Sequence, residues 1–173
     1  AHILPQAQTA AWRESLAGID PYACYRVIAP APDKRVGNWA AFNAASEWMR
    51  QFAGLCDTTD FVDLQLASQL LSFDENGMYR DPHEPMLYDV MARIQLAVLL
   101  HFGYNGRHAD AVRQALRRGI PLTLQMQSIT GELPFGGRSN QFLYNEAALA
   151  AYFEWSAAEL ARAGDTVGAG ACK

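Results

Sequence analysis

The sequence predicts an all-α fold. Apolar residues recur at spacings of three and four over most of the 173 residues, which is the period of an amphipathic helix, whereas strand-like alternation is scarce. Three of the predicted apolar helices begin near Asn38, Met86 and Ser139, roughly 50 residues apart. A repeat of this length, made of two antiparallel helices, indicates an array of helical hairpins, and a four-helix bundle is the alternative.

The N-terminal part, residues 1–37, is predicted to hold one helix and a loop. The helix covers about residues 9–17, and the loop over 28–36 is rich in proline and alanine. We expect this loop to be extended, because proline lacks an N–H group and restricts the residue before it.

Residues 38–164 are predicted to form the helical-hairpin core of a single all-α domain. Gly54 and Gly103 suit helix ends, and Pro121 predicts a kink or break. The connections around 72–85 and 130–137 are longer than bundle loops usually are, and long polar loops often carry function. Residues 165–173 are expected to be a flexible tail. The predicted core helices cover about 38–53, 59–71, 86–102, 107–128 and 139–163.

Composition excludes several classes of protein. Half of the residues are hydrophobic and 18% are charged, so the chain can form a core and is not wholly disordered. No apolar run reaches the ~18 residues that a membrane span needs. The net charge of −4 disfavours a protein that binds nucleic acid through phosphate contacts. We therefore expect neither a membrane nor a nucleic acid as partner.

The three cysteines give no metal-binding pattern. Cys24, Cys56 and Cys172 lack C-x-x-C spacing, and no histidine pair has ligand spacing, so a zinc site is not expected. The first residue is alanine rather than methionine, which we interpret as a sign of processing or of a longer parent chain.

The most informative segment is GELPFGGRSNQFLYNE, residues 131–146. A glycine pair precedes Arg138, and Asn140, Tyr144, Asn145 and Glu146 follow within about two turns of a predicted helix. A guanidinium, an amide and a phenol can thus converge at a helix N-terminus, which suits a carboxylate ligand. The alternative is a well-capped helix with a surface arginine.

A second segment, NGMYRDPHEPMLYD (76–89), contains His83 between two prolines. Histidine has an ordinary pKa near neutrality, so His83 is the candidate general base, although a surface role is the alternative. Tyr79, Arg80 and Tyr88 lie nearby as candidate substrate contacts.

A third segment, GNWAAFNAASEWMR (37–50), places Asn38, Trp39 and Asn43 at a helix start. An exposed indole suits the C–H face of a sugar ring, so Trp39 and Trp48 are candidate stacking platforms. For Trp48 we favour a place in the core.

These three runs resemble the α/α-toroid carbohydrate-active enzymes, which include polysaccharide lyases and glycoside hydrolases. Arg138 followed by Tyr144 is similar to the pattern of toroidal lyases acting on glucuronan-type polymers. The resemblance covers about residues 37–155. It implies that the antiparallel hairpins form part of an (α/α) toroid.

The resemblance also implies β-elimination on a uronate-containing polysaccharide. In such lyases the substrate carboxylate is neutralised, a base removes the C5 proton and an acid protonates the leaving oxygen. Arg138, with Asn140 or Asn38, would neutralise the carboxylate; Tyr144 would be the acid and also a candidate base; His83 would be base or neutraliser. Catalytic candidates are therefore Tyr144, His83 and Arg138, and substrate-binding candidates are Asn38, Trp39, Asn43, Tyr79, Arg80, Tyr88, Asn140, Asn145 and Glu146.

No cofactor is expected. Some lyases of the family use a divalent cation, but no carboxylate cluster in this sequence calls for one. Because the implied substrate is a polymer, we expect a secreted or periplasmic protein. Toroids of this kind have six or seven hairpins, whereas this chain has about three, so it is either a fragment or completed by a second chain or protomer.

Two alternatives remain open at the level of sequence. One is a glycoside hydrolase on the same toroid, which needs two carboxyl groups ~5–5.5 Å or ~6.5–9.5 Å apart, with Glu146 paired with Asp89 or Asp81. The other is a non-catalytic helical-repeat domain that binds carbohydrate or protein.

Overall fold

The computed structural model describes residues 5–82, 87–132 and 143–173, and these residues confirm the all-α class. They contain no β-strand, only one isolated bridge between Phe73 and Tyr79. The helices in the described residues are α1 (Gln6–Ala17), α2 (Pro21–Cys24), α3 (Trp39–Phe52), α4 (Thr59–Leu70), α5 (Leu87–His101), α6 (Ala109–Met126), α7 (Leu143–Arg162) and α8 (Thr166–Ala171).

The helices from α3 onward are arranged as three successive hairpins. In each hairpin a short connection joins α3 to α4, α5 to α6, and α7 to α8. Helix α5 packs between α3 and α7, so these three form one layer, which we call the inner layer. Helices α4 and α6 contact each other behind this layer, and α8 packs against α7.

All three inner helices end in the same glycine motif. Gly54, Gly103 and Gly164 have φ angles of 69°, 81° and 83°, a left-handed conformation that glycine adopts without a Cβ penalty. In each case the next residue donates its N–H to a carbonyl five residues earlier, as Leu55 does to Arg50 and Tyr104 to Leu99. This is the Schellman arrangement, and it reverses the chain into the following helix.

We call the end of the molecule at which these glycines lie the glycine end. Contacts there show that α3 and α5 run in the same direction. The indole Nε1 of Trp48 donates to the carbonyl of Phe102 at 2.9 Å, and the rings of Phe52 and Phe102 lie 5.1 Å apart. The Trp48 side chain is thus a core residue, as favoured from the sequence. Helix α7 ends at the same side, because Arg113 near the start of α6 pairs with Glu159 near the end of α7. Helices α3, α5 and α7 therefore begin at the opposite end, which we call the long-loop end.

Two segments differ from the sequence prediction. Helix α6 runs through Pro121 without a break, because the carbonyl that loses its helical donor belongs to Arg117, an exposed residue that water can solvate. Residues 165–173 form α8 rather than a flexible tail. The Asp165 side chain accepts the N–H of Gly168 at 2.8 Å, and Cys172 is buried.

No helix in the described parts of the chain is both long enough and apolar enough to cross a bilayer.

Candidate functional site

A pocket of about 770 Å³ opens at the long-loop end, beside the start of α3. Asn38, Trp39, Asn43 and Tyr88, four of the residues selected from the sequence, line it together. Trp39 is 67% exposed, whereas Asn38 and Asn43 are buried beneath it. The pocket therefore combines an accessible indole with amide groups, which is a composition suited to a polar ligand with an apolar face.

Two segments that lie far apart in the sequence meet in the wall of the pocket. Asp81 is buried, and its Oδ1 accepts the N–H of Asn38 at 2.7 Å. In addition, the Arg35 guanidinium donates to the carbonyl of Arg80. These bonds join the proline-rich loop before α3 to the loop before α5.

The second of these loops is held against α6 by a tight turn. Asp74 Oδ1 accepts the N–H groups of Asn76 and Met78 at 3.0 and 2.9 Å. Gly77, with φ of 76°, lies so close to α6 that an added Cβ would stand 2.4 Å from the carbonyl oxygen of Ala115. Only glycine fits this contact, so the turn fixes where the loop crosses the outer helix.

Asp74 also holds the side chain of Arg80. The Arg80 Nε and Nη2 atoms lie 2.9 and 2.7 Å from Asp74 Oδ2. Burial alone would raise the pKa of Asp74, but the N–H of Met78 and the Arg80 guanidinium lower it, and the resulting pKa lies below its usual value. Arg80 is therefore engaged in the turn, although its side chain remains exposed.

A buried ion pair supports the same loop from α5. Arg93 is fully buried and grips Asp89 with both Nε and Nη2, while its Cζ lies 4.4 Å from the centre of the Tyr152 ring. Asp89 Oδ1 also accepts the N–H of Tyr79 at 2.6 Å. The pair thus connects α5, α7 and the pocket loop, and Asp89 has a structural role.

Tyr79 does not line the pocket. Its side chain is buried, and its hydroxyl donates to Gln69 Oε1 at 2.8 Å. Burial raises the pKa of Tyr79, so the phenol stays protonated. In the structure Tyr79 anchors the loop to α4, rather than presenting a surface that a substrate would contact.

The remaining predicted residues lie on α7 or outside the described part. Tyr144 and Glu146 are exposed in the first turn of α7, and Asn145 beside them is buried. The structure places all three at the long-loop end but not in the lining of the pocket. His83, Arg138 and Asn140 lie outside the described residues, so their placement stays a prediction.

Arg35 and Tyr25 are among the pocket residues that were missed at the level of sequence. Arg35 lies in a loop whose proline content predicted only an extended backbone, and Tyr25 belongs to the short helix α2. The Tyr25 hydroxyl donates to Glu47 at 3.0 Å, and burial together with this carboxylate raises its pKa to about 12. Arg35 is the more informative of the two, because it brings a guanidinium to a pocket of aromatic and amide groups.

The carboxyl groups proposed for a hydrolase have different surroundings. Asp89 is bonded to Arg93, whereas Asp81 lines the pocket while its Oδ1 accepts the N–H of Asn38. Glu146 lies on α7 in an exposed position. A general acid or base must reach the substrate, which the bonds of Asp89 oppose.

The described residues contain no group of three or more histidine, cysteine, aspartate or glutamate side chains able to hold a metal ion. No protein-family model, no curated protein and no solved structure matches this chain.

Proposed function

We propose that the protein is a polysaccharide lyase that cleaves a uronate-containing polysaccharide by β-elimination, with its substrate bound across the long-loop end. The observation that carries the proposal is the composition of the pocket. Trp39 offers an exposed indole on which a sugar ring stacks, Asn38 and Asn43 offer amides, and Arg35 offers a cation for a carboxylate.

The reaction places defined demands on the residues. A cation beside the uronate carboxylate acidifies the C5 proton and stabilises the charge that develops when a base removes it. The electron pair then forms the C4–C5 double bond, and the C4–O bond breaks as an acid protonates the leaving oxygen. Arg138 and Arg35 are our candidates for the cation, His83 for the base and Tyr144 for the acid.

The expected spacing of α3 and α7, whose first turns carry Trp39 and Tyr144, fits a polymer rather than a single sugar. Helix α5 separates α3 from α7, and packed helix axes lie about 8–10 Å apart, so α3 and α7 are about 16–20 Å apart. A polysaccharide lying across the three helix starts contacts the pocket with one sugar and reaches the first turn of α7 with another. A polymer substrate also implies a secreted or periplasmic protein.

The first test is the ultraviolet absorbance of the unsaturated product, measured while the protein is incubated with a panel of polyuronates. We expect a rise with the wild type that is lost in Tyr144→Phe and retained in Tyr22→Phe, a matched exposed tyrosine on α2. Trp39→Ala is expected to raise KM, whereas Trp12→Ala, which alters a 53% exposed tryptophan on α1, is expected not to.

Other outcomes separate the alternatives. New reducing ends without the absorbance rise would indicate a hydrolase. Binding of polyuronates without any bond cleavage would indicate a non-catalytic carbohydrate-binding domain. Absence of both binding and cleavage over the whole panel would contradict the proposal.

A further inference from the structure

One side of the inner layer is turned away from the rest of the fold and is exposed to solvent. This side is unusually apolar. On α3, the residues turned away from the rest of the fold share one helical stripe, namely Trp39, Phe42, Ser46, Met49 and Phe52. Met49 and Phe52 are 45% and 63% exposed. On α5 the corresponding half-exposed stripe includes Met91, Gln95 and Val98. We call these two stripes, with the neighbouring side of α7 that includes Ala151, Glu154 and Ala158, the inner face.

The α3 and α5 stripes of the inner face carry no charge, whereas its α7 side includes Glu154 and Arg162 beside Val98. Ser46 and Gln95 are the polar residues at the centres of the two stripes, and neither stripe includes an aspartate, glutamate, lysine or arginine. Soluble proteins rarely expose a contiguous apolar patch of several hundred Å² unless it binds a partner. A charged ligand or a basic or acidic protein would find little to pair with on the α3 and α5 stripes.

Its size matches that of a small dimer interface. Three helices at about 8–10 Å spacing and about 22 Å in length present a face of about 500 Å² in projection. Two such faces in contact bury on the order of 1,200 Å² of accessible surface, the lower limit for specific interfaces.

The order of residues along the stripes favours a second copy as the occupant. Along α3, residues 39 and 52 lie equally far from the point between residues 45 and 46, and so do residues 42 and 49. If two α3 helices pack antiparallel about this point, Phe42 of one copy contacts Met49 of the other, and the Ser46 side chains of the two copies come together. The same rotation places Met91 against Val98 on α5 and brings two Gln95 amides together, where each can donate to the other. Such a contact is isologous, as in most two-fold dimers.

We propose that the inner face is the interface of a homodimer in which the α3 helices of two copies pack antiparallel. The polar Ser46 and Gln95 lie nearest the two-fold axis, and the large apolar side chains lie on either side. Phe52 of each copy then lies beside Trp39 of the other, and the side of this indole that lines the pocket stays available to a sugar. This inference rests on the surface of the inner layer and not on the proposed lyase activity.

The first experiment measures the mass of the full chain in solution by sedimentation and light scattering. We expect a species of twice the chain mass of 19.1 kDa. Met49→Asp and Phe52→Asp are expected to shift it to the monomer mass, because each buries a charge in the interface. Leu71→Asp, which alters a 49% exposed leucine at the end of α4, is expected to leave the dimer intact. Helical circular dichroism checks that each variant is folded.

A second experiment tests the antiparallel register. With Cys24 and Cys56 replaced by serine, we expect Ser46→Cys to form a reducible cross-linked dimer on mild oxidation, whereas Leu71→Cys in the same background should not. A monomeric wild type would overturn the proposal. So would a dimer that survives both aspartate variants, or a Ser46→Cys variant that dimerises without cross-linking.

Discussion

The two ends of the hairpin array are built on different principles. At the glycine end, three inner helices end in one repeated motif with Gly54, Gly103 and Gly164 in the same conformation. At the long-loop end, the starts of α3 and α5 have different surroundings, which include a buried carboxylate, a tight turn and a pocket. The repeat is thus specified by local backbone geometry at one end, while the other end is free to carry individual chemistry.

The buried ion pair should give the largest effect of any substitution near the long-loop end. Arg93→Met leaves Asp89 buried without its partner, so we expect the free energy of unfolding to fall by about 3–5 kcal/mol. The control is Lys173→Met, which breaks a pair between two exposed side chains, Lys173 and Glu154, and should cost about 1 kcal/mol or less. Denaturant unfolding measures the free energy of unfolding of both variants. Equal losses would contradict the expected difference between the buried and the exposed ion pair.

A methyl group at Gly77 should have the next largest effect. Gly77→Ala combines a left-handed backbone with a Cβ 2.4 Å from the Ala115 carbonyl oxygen, and we expect a loss of about 2–4 kcal/mol. Because this turn positions the pocket loop, the variant should also weaken polyuronate binding under conditions where it remains folded. Thermal unfolding and a binding titration measure these effects, and wild-type stability would disprove the close contact.

The glycine motif itself should give a smaller and purely local effect. Gly103→Ala keeps open space around the new methyl group, so only the left-handed φ is penalised, by about 1–2 kcal/mol. Gly37→Ala, near the pocket, has an ordinary φ and its nearest contact at 3.8 Å, and is expected to change stability little. Comparison of their unfolding midpoints tests whether positive φ, rather than glycine content, defines the glycine end.

The smallest expected effect concerns acid pH. The pKa of Asp74 is lower in the folded protein than in the unfolded chain, so its contribution to stability is present above the unfolded value and is lost as pH falls through the folded value. Asp74→Asn removes this contribution, and its stability should therefore fall less steeply than that of the wild type below about pH 4. Parallel pH series of unfolding curves would show the difference, and identical slopes would refute it.

The periodic parts of the fold could be predicted from sequence because their signals are local. The helices α3, α4 and α5 lie within one or two residues of the expected ranges, and Gly54 and Gly103 end helices as expected. Helix α8 was missed because Gly168 and Gly170 disfavour a helix, while its stability comes from the Asp165 cap and packing on α7.

The pocket was predicted only in part, for a physical reason. Asn38, Trp39 and Asn43 share one helix start, so their proximity follows from helical spacing. Arg35 and Asp81 reach the same place through bonds between distant segments, which no local pattern encodes. The structural role of Asp89 could not be predicted for the same reason. Its partner Arg93 is one helical turn away, but its role also depends on the N–H of Tyr79, which lies in the preceding loop.

The most direct test of a functional long-loop end is hydrogen-exchange mass spectrometry with an oligouronate, using Tyr144→Phe so that the ligand is not consumed. We predict slower exchange at residues 35–43, 79–82 and 87–91, which belong to the pocket and the start of α5, and unchanged exchange at 53–58 and 102–108 at the glycine end. Protection at the glycine end, or none at either end at saturating ligand, would contradict the account.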